Sequence, residues 1–239
     1  KNMTSDDDLI KQLRLIKDKD AYLYTHSVNV SLLSIMIGRW LEMDEQTINK
    51  LGVAGMLHDI GKVHIPDEIL HKPAALTAGE YEIIKNHSVY GYRLLQEQKD
   101  VDQQIMTAVL MHHERMDGSG YPAGLSHGTI PSLAAIVAVA DTYDAITSKR
   151  VYSDKRTPYV AADIIMKESL AGKVDARISK VFYDHILSLA VNDKVLLSNR
   201  QLGEVVLINP LKPAFPVVKV KDELYYLERE PDLTIVEVF

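Results

Sequence analysis

Histidine and aspartate residues recur along this chain in a pattern that predicts a metal site. Five histidines and two aspartates stand within or at the ends of apolar, helix-like stretches; they are His26, His58, Asp59, His87, His112, His113 and Asp141. Imidazole nitrogen and carboxylate oxygen are ligands for hard or borderline divalent metals, and the chain has no cysteine that could supply a thiolate. The sequence therefore predicts a site in which nitrogen and oxygen donors hold two divalent metal ions.

Length and composition restrict the class of protein. The 239 residues exceed the usual domain size of roughly 100 to 150, which favours one large domain with a small appendage. The net charge of −6 argues against a groove for polymeric nucleic acid but allows a local basic pocket for one small phosphate ligand. No apolar run approaches the roughly 20 residues of a membrane span, and no signal peptide is visible. With no disulfide to form, a cytoplasmic location is expected.

The periodicity of the apolar residues divides the chain into three parts. Residues 1–20 are charged with a few apolar anchors, which suits a linker helix entering from an upstream sensor or regulatory domain. Residues 21–192 have a helical period throughout. Residues 193–239 contain short alternating apolar runs separated by turn formers, which predict strands. The fold class expected is mainly α, with a small C-terminal β appendage.

Helical spacing turns the candidate ligands toward the core. His26 lies on the same apolar face of a predicted helix as Val30 and Ile37. His58 is the last residue on the apolar face of the next predicted helix, which Asp44 can cap and Gly61 can end. One such histidine is more often a core residue than a ligand. Several unpaired imidazoles, however, would each cost about 1 to 3 kcal/mol in desolvation, and a shared metal cluster removes that cost.

The next segments repeat the same arrangement. Thr77 and Glu80 form a capping box before a helix that carries His87 on its apolar side, and the following helix leads into His112. Asp141 ends a long apolar run, where a carboxylate needs a partner. That partner is either a metal ion or a cation such as Lys62 or Arg150.

Two motifs carry a resemblance to a known family. The strings HDIGK, from His58 to Lys62, and HHERMDGSGYP, from His112 to Pro122, resemble the HD-GYP family, the cyclic di-GMP phosphodiesterase branch of the HD phosphohydrolase superfamily. The likeness covers about residues 22–190 and extends into the β tail. It implies an HD-type helical bundle with two divalent metals, most often iron or manganese. It also implies hydrolysis of cyclic di-GMP, or of a related 3′,5′-linked cyclic dinucleotide, with either linear pGpG or GMP as the end product.

The resemblance also assigns roles to individual residues. It places two groups of ligands around two ions, with Asp59 as the bridge: first His26, His58, Asp59 and Asp141, then His87, His112 and His113. Lys62 matches the lysine that contacts the scissile phosphate. Tyr121, Pro122 and Arg150 match substrate-binding positions. Tyr22 stands where members with a third metal have glutamate, which favours two metals and leaves open whether the product is pGpG or GMP.

The expected chemistry follows from the charge on the substrate. Two cations about 3.5 to 4 Å apart can hold a bridging hydroxide and a phosphoryl oxygen together, while Lys62 offsets charge in the transition state. Glu114 and Asp117 are nearby acids that either take up a proton or only orient the histidines.

Several alternatives stay open at this stage. Lys62 and Arg150 could instead be solvated cations at helix ends, with no role in function. The loop around Tyr121 could be a simple connector between helices. The chain could be a catalytically weak cyclic-dinucleotide-binding module that signals through a protein partner docking at Gly120-Tyr121-Pro122. It could also be a mononuclear nucleotide phosphohydrolase of the wider superfamily.

Overall fold

The computed structural model describes residues 21–148 and 156–239. The predicted linker helix at residues 1–20 and the candidate Arg150 lie outside the described residues. Within them, the fold is mainly helical and ends in a small antiparallel sheet, which confirms the fold class expected from the sequence. None of the described helices has the length and apolar character that a membrane crossing requires.

Helices account for most of the described residues up to position 189. In chain order they are α1 (Ala21–Trp40), α2 (Glu45–Leu57), a 3-10 helix (Ile60–His64), α3 (Asp67–Leu70), α4 (Ala78–Lys85), α5 (His87–Gln96), α6 (Gln103–Met111), α7 (Ser132–Thr147), α8 (Pro158–Leu170) and α9 (Ala176–Leu189). Helix α1 packs against α2 and α7, the 3-10 helix packs against α5, and α8 packs against α9. Helix α7 is buried along most of its length, so it forms the centre of the bundle.

Capping and periodicity explain where the early helices begin and which side they bury. Asp44 accepts a hydrogen bond from the Thr47 backbone at the start of α2, and the predicted capping box of Thr77 and Glu80 opens α4. Val30 and Ile37 on α1 are fully buried. The sequence therefore predicted these helix starts and these buried faces.

Two helix boundaries differ from the prediction. Helix α2 ends at Leu57, with His58 as its cap, so Gly61 does not end it. The single helix expected around His87 is divided at Asn86 into α4 and α5, and His87 is the first residue of α5. In both cases the histidine lies at a helix end, where the chain changes direction.

The C-terminal segment forms a five-stranded antiparallel sheet. Its strands are β1 (Lys194–Leu197), β2 (Leu202–Leu207), β3 (Val217–Val220), β4 (Glu223–Tyr226) and β5 (Ile235–Val238), in the spatial order β4-β3-β2-β1-β5. Val195 in β1 pairs with Gly203 in β2, and Val205 in β2 pairs with Val218 in β3. Four buried valines of this sheet belong to the same apolar cluster as α7, α8 and α9, so sheet and bundle share one core; they are Val195, Val205, Val218 and Val220.

Two glycines allow the backbones around the candidate site to approach each other. A Cβ atom on Gly61, in the 3-10 helix, would lie 1.9 Å from the His87 carbonyl oxygen and 2.4 Å from the Gly91 nitrogen. A Cβ atom added to Gly91, on α5, would lie 3.3 Å from the Gly61 nitrogen. Neither backbone leaves room for a side chain, so glycine at position 61 is what brings the segment with His58 and Asp59 next to His87.

Replacing Gly61 with alanine should therefore destabilise the protein. The methyl group would overlap backbone atoms that cannot move independently, and overpacking of this kind costs about 1 to 3 kcal/mol. Gly79 is the matched control, because it lies in α4 with no atom within 4 Å of an added Cβ. Gly79→Ala should stabilise the protein by up to about 1 kcal/mol through helix propensity. Equal unfolding free energies for the two variants, measured by denaturant titration, would contradict this explanation.

Candidate metal centre

Five segments bring the predicted ligands into one place. His26 comes from α1, His58 and Asp59 from the end of α2, His87 from the start of α5, His112 and His113 from the end of α6, and Asp141 from α7. Their donor atoms form two groups, each with all atoms within 4.8 Å of one another. One group contains Asp59, His87, His112 and His113; the other contains His26, His58 and Asp141. The structure thus brings together all seven residues that the sequence singled out as ligands.

Three of the histidines are oriented in the same way. The Nδ1 atoms of His58, His87 and His112 lie 2.7, 2.7 and 2.8 Å from the carbonyl oxygens of Gly55, Ile84 and Val109, three residues earlier in each case. A carbonyl oxygen can only accept a hydrogen bond, so each Nδ1 must carry the proton. In the neutral ring the Nε2 atom is then a free electron-pair donor, as a metal ligand must be.

The close approach of two of these Nε2 atoms indicates that a cation fits between them. His87 Nε2 and His112 Nε2 are 3.3 Å apart, although neither carries a proton to share in the neutral tautomer. Burial lowers the pKa of His87 to about 4 and that of His112 well below its usual value, so protonation does not relieve the repulsion. His58 Nε2 and Asp59 Oδ1 are buried and make no hydrogen bond. Divalent cations would satisfy all of these atoms at once.

Asp59 lies between the two groups of ligands. Its Oδ1 is 3.3 Å from His87 Nε2, while its Oδ2 is 3.2 Å from His58 Nε2 and 3.6 Å from His26 Nε2. The carboxylate is 2% exposed. Burial opposes its ionisation, but the positive charge of Lys62 and the neighbouring ring of His58 prevail and hold the pKa of Asp59 well below its usual range. An ionised carboxylate with one oxygen toward each group has the geometry of a bridging ligand.

Lys62 is part of the same cluster. Its Nζ lies 2.6 Å from Asp59 Oδ2, and its side chain is 20% exposed. Of the two interpretations that the sequence allowed, a solvated helix-end lysine is thus disfavoured. Lys62 also pairs with Asp59 rather than with Asp141, the partner considered for it on the sequence alone.

The structure adds one residue that the sequence analysis did not assign to the site. Asp144, one turn after Asp141 on α7, is buried, and its Oδ2 lies 2.6 Å from His26 Nδ1. Its Oδ1 accepts a hydrogen bond of 2.8 Å from the side chain of Asn29. Burial alone would lower the pKa of His26, but bonds to Asp141 and Asp144 raise it to about 9. Asp144 therefore fixes the ring of His26 so that Nε2 faces the other ligands.

The sequence held a signal for this role of Asp144. It lies on the same predicted inner face of α7 as Asp141, and a carboxylate on a buried helix face requires a partner. The identity of that partner depended on the packing of α1 against α7, which the sequence pattern alone does not give.

The loop with Tyr121 and Pro122 is attached to the ligand His113. The ring of Tyr121 stacks on that of His113 with centroids 4.6 Å apart, and its backbone nitrogen donates to the His113 carbonyl. Glu114, which is 3% exposed, accepts hydrogen bonds from the backbone nitrogens of Ala123 and Leu125 at 2.7 and 2.8 Å. Both carboxylate oxygens of Glu114 thus accept hydrogen bonds from the loop. Of the two roles expected for Glu114, proton uptake during the reaction is therefore disfavoured. Asp117 is exposed and bonds to Ser119.

The fold and the cluster of histidines and aspartates are those of an HD domain. The HD domain family model matches residues 12–178, so the chain belongs to that family. This match and the relatives described next confirm the resemblance to the HD-GYP branch that the sequence motifs carry.

Similar proteins are found among both curated sequences and solved structures. A cyclic di-GMP phosphodiesterase of Pseudomonas aeruginosa is 38% identical over 213 residues, which cover 89% of this chain and 50% of the relative. A cyclic di-GMP phosphodiesterase of Thermotoga maritima is 42% identical over 157 residues, covering 65% of this chain and 42% of the relative. The chain thus spans about half the length of the curated relatives it matches. An HDGYP protein from Bdellovibrio bacteriovorus shares the fold at 24% identity and a TM-score of 0.58, covering 70% of this chain and 53% of that protein.

Replacing Asp144 with asparagine should weaken metal binding without unfolding the protein. The variant keeps the shape of the side chain but loses the charge that orients His26, and such changes behind a ligand cost about 10- to 100-fold in metal affinity. Asp184→Asn is the matched control, because Asp184 is an exposed aspartate on α9. The measurement is titration of the metal-free variants with Mn²⁺. Wild-type affinity in Asp144→Asn would show that His26 does not depend on this contact.

Proposed function

We propose that the chain is a metal-dependent phosphodiesterase. Its proposed substrate is cyclic di-GMP or a related 3′,5′-linked cyclic dinucleotide, and its proposed product is linear pGpG, with GMP as the alternative end product. The observation that carries this proposal is the pair of facing, unprotonated Nε2 atoms of His87 and His112 beside the buried Asp59 carboxylate. The curated relatives named cyclic di-GMP phosphodiesterases support the same substrate class.

The proposed cofactor is a pair of divalent metal ions, with iron or manganese preferred. His26, His58, Asp59 and Asp141 would hold one ion, and Asp59, His87, His112 and His113 would hold the other, a division that agrees with the two groups of donor atoms. When bound, such ions supply positive charge for a phosphoryl oxygen and lower the pKa of water. A mononuclear hydrolase is the weaker candidate, because it would leave one of these buried groups with unpaired donors.

The reaction adds one water molecule across a phosphodiester bond. The bond between phosphorus and the 3′ oxygen breaks, the 3′ oxygen gains a proton, and the phosphate stays on the 5′ oxygen. We propose that Asp59 would help to hold both ions when they are bound, and that Lys62 donates a hydrogen bond to a non-bridging oxygen of the scissile phosphate. Its ammonium already lies 2.6 Å from Asp59, beside the place where that phosphate would bind.

Other parts of the proposal extend beyond the cluster. Tyr121 and Pro122 are proposed to contact the substrate, because their loop borders His113; the same loop is the candidate surface for a protein partner. Arg150, outside the described residues, is proposed as a further phosphate contact on the sequence resemblance alone. Residues 21–192 are proposed as the catalytic domain, residues 193–239 as its appendage, and residues 1–20 as the link to an upstream sensor or regulatory domain. A cytoplasmic location stays a prediction from the sequence.

One experiment tests the cofactor and the reaction together. Protein purified without oxygen is analysed for bound metal and then incubated with cyclic di-GMP, and the products are separated by chromatography. We expect two metal ions per chain and the appearance of pGpG. Substoichiometric metal, or cyclic di-GMP that stays intact with fully loaded protein, would contradict the proposal; intact substrate with tight binding would favour the binding-module alternative.

Replacing Asp59 with alanine should abolish metal loading and hydrolysis together. The variant removes the carboxylate that faces both groups, and the buried histidines lose their shared counter-charge. Metal content and turnover are measured on the same preparation, with circular dichroism to show that the helices persist. Turnover that survives the substitution would exclude a bridging role for Asp59.

Replacing Lys62 with alanine should leave the metal content intact and slow cleavage. Loss of one charge-stabilising donor from a preorganised site typically slows the chemical step by roughly 10²- to 10³-fold. Single-turnover kinetics with metal-saturated protein isolates that step. Loss of metal from the variant would mean that Lys62 supports Asp59 rather than the substrate.

A further inference from the structure

A second lysine stands at the edge of the candidate site. Lys85 is the last residue of α4, two residues before the ligand His87. Its Nζ lies 5.6 Å from the ring centroid of Tyr121 and 5.0 Å from that of Tyr81. Since the ring of Tyr121 stacks on His113, one aromatic ring separates the ammonium of Lys85 from the second group of candidate ligands.

The ammonium of Lys85 is held in place but is available for a ligand. Cation–π contacts with two tyrosine rings favour its position. Its ion-pair partner is Glu82, at 2.6 Å, whose side chain is 67% exposed. An exposed pair of this kind contributes little to stability, so exchange of Glu82 for an anionic ligand has a small cost.

The two lysines contact different residues of the site. Lys62 contacts Asp59 Oδ2, the oxygen that faces His58 and His26. Lys85 approaches through Tyr121 on the side of His87 and His113. The guanidinium of the nearby Arg115 donates instead to the backbone carbonyl of Glu114. Two side chains therefore bring positive charge to the site, one beside Asp59 and one beside Tyr121, which suits a ligand with two anionic groups.

We propose that Lys85 binds the second phosphate of the substrate, the one that is not being cleaved, and that Tyr81 and Tyr121 hold its ammonium in position. This inference rests on the proposed function, because it takes a dinucleotide with two phosphates as the ligand. Lys85 is then a specificity-determining residue: it selects cyclic dinucleotides over phosphodiesters with one phosphate and takes no part in bond cleavage.

The test is the variant Lys85→Gln, which keeps the length of the side chain and removes its charge. We expect the KM for cyclic di-GMP to rise about tenfold, the size expected for a lost charged hydrogen bond, with little change in kcat. Hydrolysis of bis(p-nitrophenyl) phosphate, which has one phosphate and no base, should be unchanged. Lys180→Gln is the matched control, because Lys180 is an exposed lysine on α9 that also pairs with a carboxylate of its own helix.

Two linear dinucleotides separate the phosphate from the guanine as the group that Lys85 contacts. Calorimetry of metal-loaded protein compares GpG, which retains the phosphodiester that is not cleaved, with its methylphosphonate analogue, which has the same bases and an uncharged linkage in that position. The variant should lose about tenfold in affinity for GpG and nothing for the methylphosphonate analogue. An equal loss for both would assign Lys85 to a guanine and overturn the proposal, as would unchanged affinity for both. A fall in metal content, or in hydrolysis of bis(p-nitrophenyl) phosphate, would instead show an effect on the metal centre.

The proposed function and this inference can fail separately. If wild-type protein does not hydrolyse cyclic di-GMP, the proposed function fails, while the comparison of GpG with its methylphosphonate analogue still decides whether Lys85 binds a phosphate. If wild-type protein hydrolyses cyclic di-GMP and Lys85→Gln has the wild-type KM, only the role of Lys85 is wrong.

Discussion

The site depends on one buried carboxylate that lies among five imidazoles. Asp59 is ionised although it is almost fully buried, because Lys62 and the surrounding rings offset its charge. Each of its oxygens faces a different group of candidate ligands. The carboxylate can occupy this position because α2 ends at Leu57 and the 3-10 helix then passes α5 at the distance of a backbone contact. The position of the metal centre therefore depends on the space left by Gly61.

The orientation of the histidines is coupled to the ends of the helices. The carbonyls of Gly55, Ile84 and Val109 each lie in the last turn of a helix, where the intrahelical hydrogen-bond pattern runs out. Each accepts the Nδ1 proton of a histidine three residues later. The same hydrogen bond thus caps a helix and fixes the tautomer of a ligand. His26 lies within α1 instead, so it needs the separate carboxylate of Asp144 for the same purpose.

The loop that follows His113 is fixed to the metal centre from two sides. Tyr121 stacks on the ring of His113, and the buried Glu114 holds the backbone of Ala123 and Leu125. Gly120 allows this arrangement, since a Cβ there would lie 2.5 Å from Glu114 Cα. Substrate contacts proposed for this loop and for Lys85 are therefore anchored to the candidate ligand His113 and to its neighbour Glu114.

The sequence by itself determined the residue types of the site, the helical period that turns them inward, the helix starts at Asp44 and Thr77, and the change to strands near residue 193. These features depend on neighbours along the chain, and local spacing and capping chemistry encode them. The tertiary structure decided which atoms meet. Two of these contacts join segments that are distant in sequence: the contact of Gly61 with α5 and the contact of Asp144 with His26. The division of the predicted helix at Asn86 accompanies the first of them. No periodicity within one segment contains that information, because it arises only when the helices pack and the buried polar atoms must find partners in other elements.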